Sequence, residues 1–105
     1  MERKLEEWKD LNFENIRSEL YSISSYGRIK NKNTGKMLKP FRHKNDYDKE
    51  YVYVSINESN GKGRAFRIEF LVAYTFKPEN YNEENNNKVL HKNLNVKDNY
   101  YENLE

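Results

Sequence analysis

The sequence predicts an α+β fold: a small antiparallel sheet with one packed helix. Three observations carry that prediction. In "EYVYVSIN", residues 50–57, Val52, Val54 and Ile56 alternate with Tyr51, Tyr53 and Ser55, the period of a strand with one buried face. Further on the period changes. Phe70, Leu71, Ala73, Tyr74 and Phe76 recur at helical spacing, and Pro78 ends the run. Elsewhere, short apolar stretches are punctuated by Gly27, Gly35 and the Gly-rich run "NGKG", which mark turns between neighbouring strands.

The elements follow in order. "LEEWKDLNFE" reads as an extended segment with Trp8 anchored against the core. Leu5, Trp8 and Leu11 share a helical face, but Asp10, Asn12 and Asn15 interrupt a helix. "LYSISSYGRIKN" reads as two strands around a turn, with Tyr21 and Ile23 on one face, Gly27 supplying backbone freedom and Ile29 pointing inward between two cations. "NKNTGKML" is a hairpin turn with Gly35 at its tip, "KMLKP" a strand closed by Pro40, and "RHKNDYDK" a polar loop. After the strand at 50–57, "ESNGKGR" turns and "AFRI" returns. A helix is expected from about Glu69 to Phe76, then a polar connection, "PENYNEENNN", and a last extended segment beginning "KVLHK".

Composition narrows the class. Only 35% of residues are hydrophobic and 34% are charged, so a chain of 105 residues buries a modest core under a very polar surface. Nine Tyr, five Phe and one Trp argue against disorder. With no cysteine, disulfides and thiolate metal sites are excluded. The apolar stretch Phe70 to Phe76 is far too short to span a bilayer, and "MERKLEEWKD" lacks the apolar segment of a signal peptide. The expectation is a cytoplasmic protein with no membrane partner.

Charge is uneven. The net charge is +2, yet residues 28–49 carry Arg28, Lys30, Lys32, Lys36, Lys39, Arg42, Lys44 and Lys49 against Asp46 and Asp48, a local +6. Residues 1–20 and 77–105 are each −2. A basic middle between acidic ends fits phosphate contact, with a solvated Lys-rich loop as the plainer alternative. Base stacking on exposed Tyr residues around 51–53 is a further option. His43 in "FRHKND" reads as a solvated loop residue, Glu83-Glu84 as solvated carboxylates, and "NGKGR" as a turn, since it lacks the Lys-Ser/Thr ending of a phosphate loop.

Glu6-Glu7-Trp8-Lys9, then "YSISSYGRIK" at 21–30 and "GKMLKP", come before Glu69-Phe70-Leu71-Val72-Ala73, Val89-Leu90-His91, Asn93-Leu94-Asn95, Asp98-Asn99 and Asn103-Leu104-Glu105. In that order and spacing the chain resembles the HNH homing endonucleases of phages and mobile elements that carry a nuclease-associated module in front of the nuclease motif. The resemblance implies a module at 1–49 and an HNH-like segment at 50–105, packed as one unit, the second being a partial ββα-metal segment.

The resemblance also implies roles. His91 takes the place of the general base that activates water, and Asn103 that of the Asn orienting the loop and the ring. In the family a divalent metal, Mg²⁺ or Mn²⁺, stabilises the leaving oxygen. One of its ligands normally precedes the central His, and here that residue is Leu90, which has no ligand atom. Another lies in a helix after Asn-Leu-Glu-Trp, and the sequence stops at Glu105. Glu69 stands where the family has an upstream His. The expectation is therefore a non-catalytic relative with no metal and no cofactor. It would bind DNA through Arg28, Lys30, Lys32, Lys36, Lys39, Arg42 and Lys44, or bind a nucleic-acid-processing host defence protein as an inhibitor of anti-CRISPR type. For a protein partner, Tyr81, Tyr100 and Tyr101 in the acidic tail are the expected anchors. The competing class is an active metal-dependent endonuclease, or a fragment of one, with Glu69, His91 and Asp98 or Glu102 assembling an unusual site.

Overall fold

A computed structural model describes residues 3–12, 16, 20–57, 61–79 and 89–105. Among these residues six strands are followed by a helix: β1 (Trp8–Asp10), β2 (Tyr21–Ser24), β3 (Ile29–Asn31), β4 (Phe41–Lys44), β5 (Glu50–Asn57), β6 (Gly63–Arg67) and α1 (Ile68–Phe76). A single 3₁₀ turn, Tyr101–Asn103, lies near the end. The α+β class holds, but the strands form two three-stranded antiparallel sheets, β1-β2-β3 and β4-β5-β6, instead of one.

In the second sheet, alternation along β5 turns Val52, Val54 and Ile56 inward, where Phe66 of β6 and Ile68, Leu71, Val72 and Ala73 of α1 close over them. Each of the larger of these side chains contributes about 1.5–3 kcal/mol by leaving water. Leu11, Ile23 and Ile29 extend the same core from the first sheet. β6 runs directly into α1, and the helix ends where Lys77 N–H donates to Ala73 O ahead of Pro78.

Several local expectations need correction. Trp8 does sit on an extended segment, but it is only half-buried. Its ring lies under the Lys30 ammonium at 4.3 Å and the Arg28 guanidinium at 5.7 Å, and Leu11 is the fully buried anchor. The strand expected at "KMLKP" reduces to one bridge, Lys30 to Met37. The polar loop expected at "RHKNDYDK" begins as strand β4, paired with β5 from Phe41 opposite Tyr53 to Lys44 opposite Glu50. The expected boundary between residues 49 and 50 thus falls in the β4–β5 turn, so one sheet draws strands from both sides of it. The connection "PENYNEENNN" lies largely outside the described residues.

The last segment docks onto the first sheet at the β2–β3 turn. Tyr101 N–H donates to Ser25 O at 2.9 Å. Gly27 has φ +86°, and a Cβ there would stand 2.8 Å from the Cβ of Asn99, so this position requires glycine both for its conformation and for close approach.

Candidate functional site

The site is built where the tail folds back on itself. Leu90 and Glu105 exchange both backbone hydrogen bonds, and Lys92 N–H donates to Asn103 O at 2.7 Å, which sets His91 opposite Leu104. The loop between them is cross-tied by side chains. Asn103 Oδ1 accepts from Asn93 N–H at 3.2 Å, and Asn103 Nδ2 donates to Asp98 O at 2.8 Å and Asn93 Oδ1 at 3.1 Å. Asn93 Oδ1 also accepts from Asn95 N–H. Leu94 at the loop tip has φ +63° and is 89% exposed.

His91 is buried, with only 5% of its side chain exposed, and both ring nitrogens face protein groups. Nε2 is 2.8 Å from Asn99 Oδ1, and Asn99 Nδ2 donates to Val96 O at 3.3 Å, which leaves the oxygen to face the ring. An oxygen acceptor at that position favours the tautomer that carries its proton on Nε2. Nδ1 is 3.6 Å from Glu69 Oε2, in ion-pair range. Glu69 lies in the first turn of α1, where the positive end of the helix dipole favours a carboxylate, and it is 3% exposed. Burial pushes its carboxyl above the usual carboxylate range, opposed by His91 and Arg67.

The side chain of Asn103 ties the loop together, while Asn99 and Glu69 are the groups that lie against the ring. That is a correction to the role assigned to Asn103, and its cause is geometric: the side chain of Asn103 is occupied by Asn93 and Asp98. Asn99 carried no signal of this role in the sequence. Glu69 did, because a carboxylate between Ile68 and Phe70 at the start of an apolar helix must find a partner once buried.

The expected alternative ligands point elsewhere. Asp98 is engaged by Arg3 and by Asn93 Nδ2 at 2.8 Å, and the Arg3 guanidinium holds its carboxyl below its ordinary value. Glu102 pairs with Lys4 at 2.9 Å and is likewise lowered by it. Among the described residues no three His, Cys, Asp or Glu side chains converge as a metal centre would require, and Leu90 offers no donor atom. Beside His91 the described residues place one carboxylate, that of Glu69. His91, Glu69 and Leu90 instead line a cavity of about 500 Å³, with Phe70, Leu94 and Val96 on its apolar side.

The basic set is scattered over both sheets and largely paired. Arg28 is held by Glu6, Lys32 by Asp10 at 2.7 Å, Arg42 by Glu50 at 3.5 Å and Lys44 by Asp48 at 3.5 Å. Lys30 stacks on Trp8. Lys36 and Lys39 are exposed and make no ion pair among the described residues. The local +6 is therefore offset at four of its eight cations. His43 is exposed but lies on strand β4, edge-on to Tyr53, and not in a loop.

The tail aromatics do not form the expected surface. Tyr100 is 2% exposed, packed on Tyr26 at 4.8 Å between ring centroids and under the Arg3 guanidinium, with its hydroxyl accepting from Lys4 N–H. A ring enclosed in this way cannot anchor a partner. Tyr101 is half-buried against Phe76 and Tyr100. Tyr81, with Glu83 and Glu84, lies outside the described residues.

Comparison with known proteins places these features in context. The NUMOD4 motif matches residues 6–57. An uncharacterized HNH endonuclease of Acanthamoeba polyphaga mimivirus is 33% identical over 105 residues, which is all of this chain and 24% of that protein. The solved structure of the HNH homing endonuclease I-HmuI, described for DNA binding and cleavage, superposes with a TM-score of 0.68 at 31% identity, over 93% of this chain and 50% of the other. The chain thus spans about a quarter of the curated relative and half of the solved one.

Proposed function

In sequence and in fold the chain resembles the HNH homing endonucleases and carries a NUMOD4 motif, and on that premise we propose that it acts by binding DNA, with the HNH histidine serving as a structural element and not as a general base. The observation that carries this reading is the buried His91 ring, with Nε2 2.8 Å from Asn99 Oδ1 and Nδ1 facing Glu69 Oε2 at 3.6 Å. A general base must present a lone pair to the water it activates. Here Nε2 is occupied by Asn99 Oδ1 and Nδ1 faces a carboxylate, beside a leucine where a metal ligand is expected. DNA as the ligand is supported by the likeness to I-HmuI and by the exposed Lys36 and Lys39, with Lys30 and Arg28 above Trp8.

Two assays test the reading. Duplex binding should weaken steeply with salt, and Lys36→Gln with Lys39→Gln should lower the log–log salt slope by up to about 2, near 0.9 for each phosphate no longer neutralised. Plasmid incubated with Mg²⁺ or Mn²⁺ should show no nicking above that of His91→Ala. One observation favours the catalytic alternative, the Glu69 carboxylate beside His91, and metal-dependent nicking that His91→Ala abolishes would establish it. The inhibitor reading, with a host defence protein as target, loses Tyr100 as an anchor and keeps only the exposed part of Tyr101 among the described residues.

A further inference from the structure

The outer face of the second sheet has a composition that core packing does not require. β5 turns Tyr51 and Tyr53 away from the helix, and the register sets Phe41 opposite Tyr53 on one side and Arg67 opposite it on the other. The Phe41 and Tyr53 rings lie 5.8 Å apart and within 16° of parallel. The Arg67 guanidinium covers the Tyr51 ring at 3.8 Å. Tyr53 is thus held in a stack whose outer member, Phe41, lies on edge strand β4 and is 42% exposed. Across the sheet, Ser55 and Ala65 face each other, both exposed and small, and on the other flank His43 stands edge-on to Tyr53. Lys39, two residues before Phe41, is exposed and pairs with no carboxylate among the described residues.

We propose that this face is a stacking platform for unpaired nucleobases, and that its ligand is single-stranded DNA. A base laid on Phe41 continues the Phe41–Tyr53 stack, and the adjoining phosphate meets Lys39. The ligand is single-stranded because a base pair inside a duplex has both faces covered by its neighbours, whereas a ring on a sheet surface needs a free face. Charge alone attracts either form; the aromatic tier selects the unpaired one. The inference rests on the nucleic-acid reading above and adds a demand for bare bases.

The test uses fluorescence anisotropy with three labelled oligonucleotides of equal length: single-stranded oligothymidylate, an abasic strand with the same phosphates, and a duplex. The thymidylate strand should bind about tenfold more tightly than the abasic strand. Phe41→Leu, at an exposed edge position and still apolar, should keep the melting temperature, remove most of that difference and leave duplex affinity unchanged. Tyr53→Leu should do the same from beneath. Equal binding of the thymidylate and abasic strands, or a base preference that survives both substitutions, overturns the platform while leaving duplex binding standing. Binding to none of the three overturns the platform together with the nucleic-acid reading.

Discussion

Polar groups are used in opposite ways at the two ends of this fold. On the first sheet, Arg28–Glu6 and Lys32–Asp10 lie on the surface and join neighbouring strands. Around His91, Glu69, Asn99 and Asn103 are all buried, and each finds its partner inside the protein. Exposed pairs of the first kind are worth little to stability, with a median of about 0–1 kcal/mol, because water competes for both charges. Buried groups of the second kind cost several-fold more if a partner is removed. Substitutions in the first region should therefore change ligand binding and leave the fold alone. In the second they should change stability first.

The sharpest way to break this contrast is at Tyr100, which joins the two regions. Tyr100→Ala removes a ring that is 2% exposed and packed on Tyr26, and should cost about 3–5 kcal/mol in denaturant unfolding. A loss under about 0.5 kcal/mol, as at ordinary surface positions, would return Tyr100 to the surface and reopen the tail as a binding face.

A middle-sized effect is expected from Glu69 and depends on pH. Its folded pKa is raised by burial, so the folded state favours the protonated carboxyl. The contribution is fully present below the unfolded value and is lost as pH rises through the higher folded value. Glu6 and Asp98 carry the opposite sign: each is lowered by its arginine, so their contributions appear above their unfolded values and fade as pH falls. Glu69→Gln isolates the first effect. Relative to wild type, the variant should be near neutral below the ordinary carboxylate pKa and gain stability as pH rises, until Glu69 is ionised in the folded protein. A stability difference independent of pH would show that Glu69 does not titrate in a buried site.

The smallest effect sharpens the contrast inside the tail. Leu94 holds φ +63°, a conformation that costs an L-residue other than Asn or Asp about 1–2 kcal/mol, and its exposed side chain returns little. Part of the relief on replacement by glycine is offset by greater freedom in the unfolded chain. Leu94→Gly should raise stability by under about 1 kcal/mol. A clear loss would mean that the side chain of Leu94 stabilises the loop.

The regions also differ in how well the sequence reveals them. β5 and α1 were legible because each repeats apolar residues at the period of its own geometry, and α1 begins within one residue of the expected Glu69. β4 was not, since Phe41–Lys44 is exposed throughout and is a strand only by its pairing with β5. Lys30 and Met37 show the converse: a β-like pattern at "KMLKP" yields one bridge when no further partner is in register. At the site, the family pattern pointed to His91 and Asn103, and both lie there. The pairing of His91 with Asn99 and Glu69 was not legible. It joins residues 8 and 22 positions away from His91 through the packing of α1 against the tail, which no local pattern encodes.

Long-range ¹H–¹⁵N correlation of the His91 ring at neutral pH, with and without Mg²⁺, tests the central claim most directly. Held between Asn99 and Glu69, the ring should carry a proton on Nε2 that exchanges slowly with water, and its signals should not move when Mg²⁺ is added. A bare Nε2, or ring signals that shift on titration with Mg²⁺, would contradict the account and identify His91 as a base poised for cleavage.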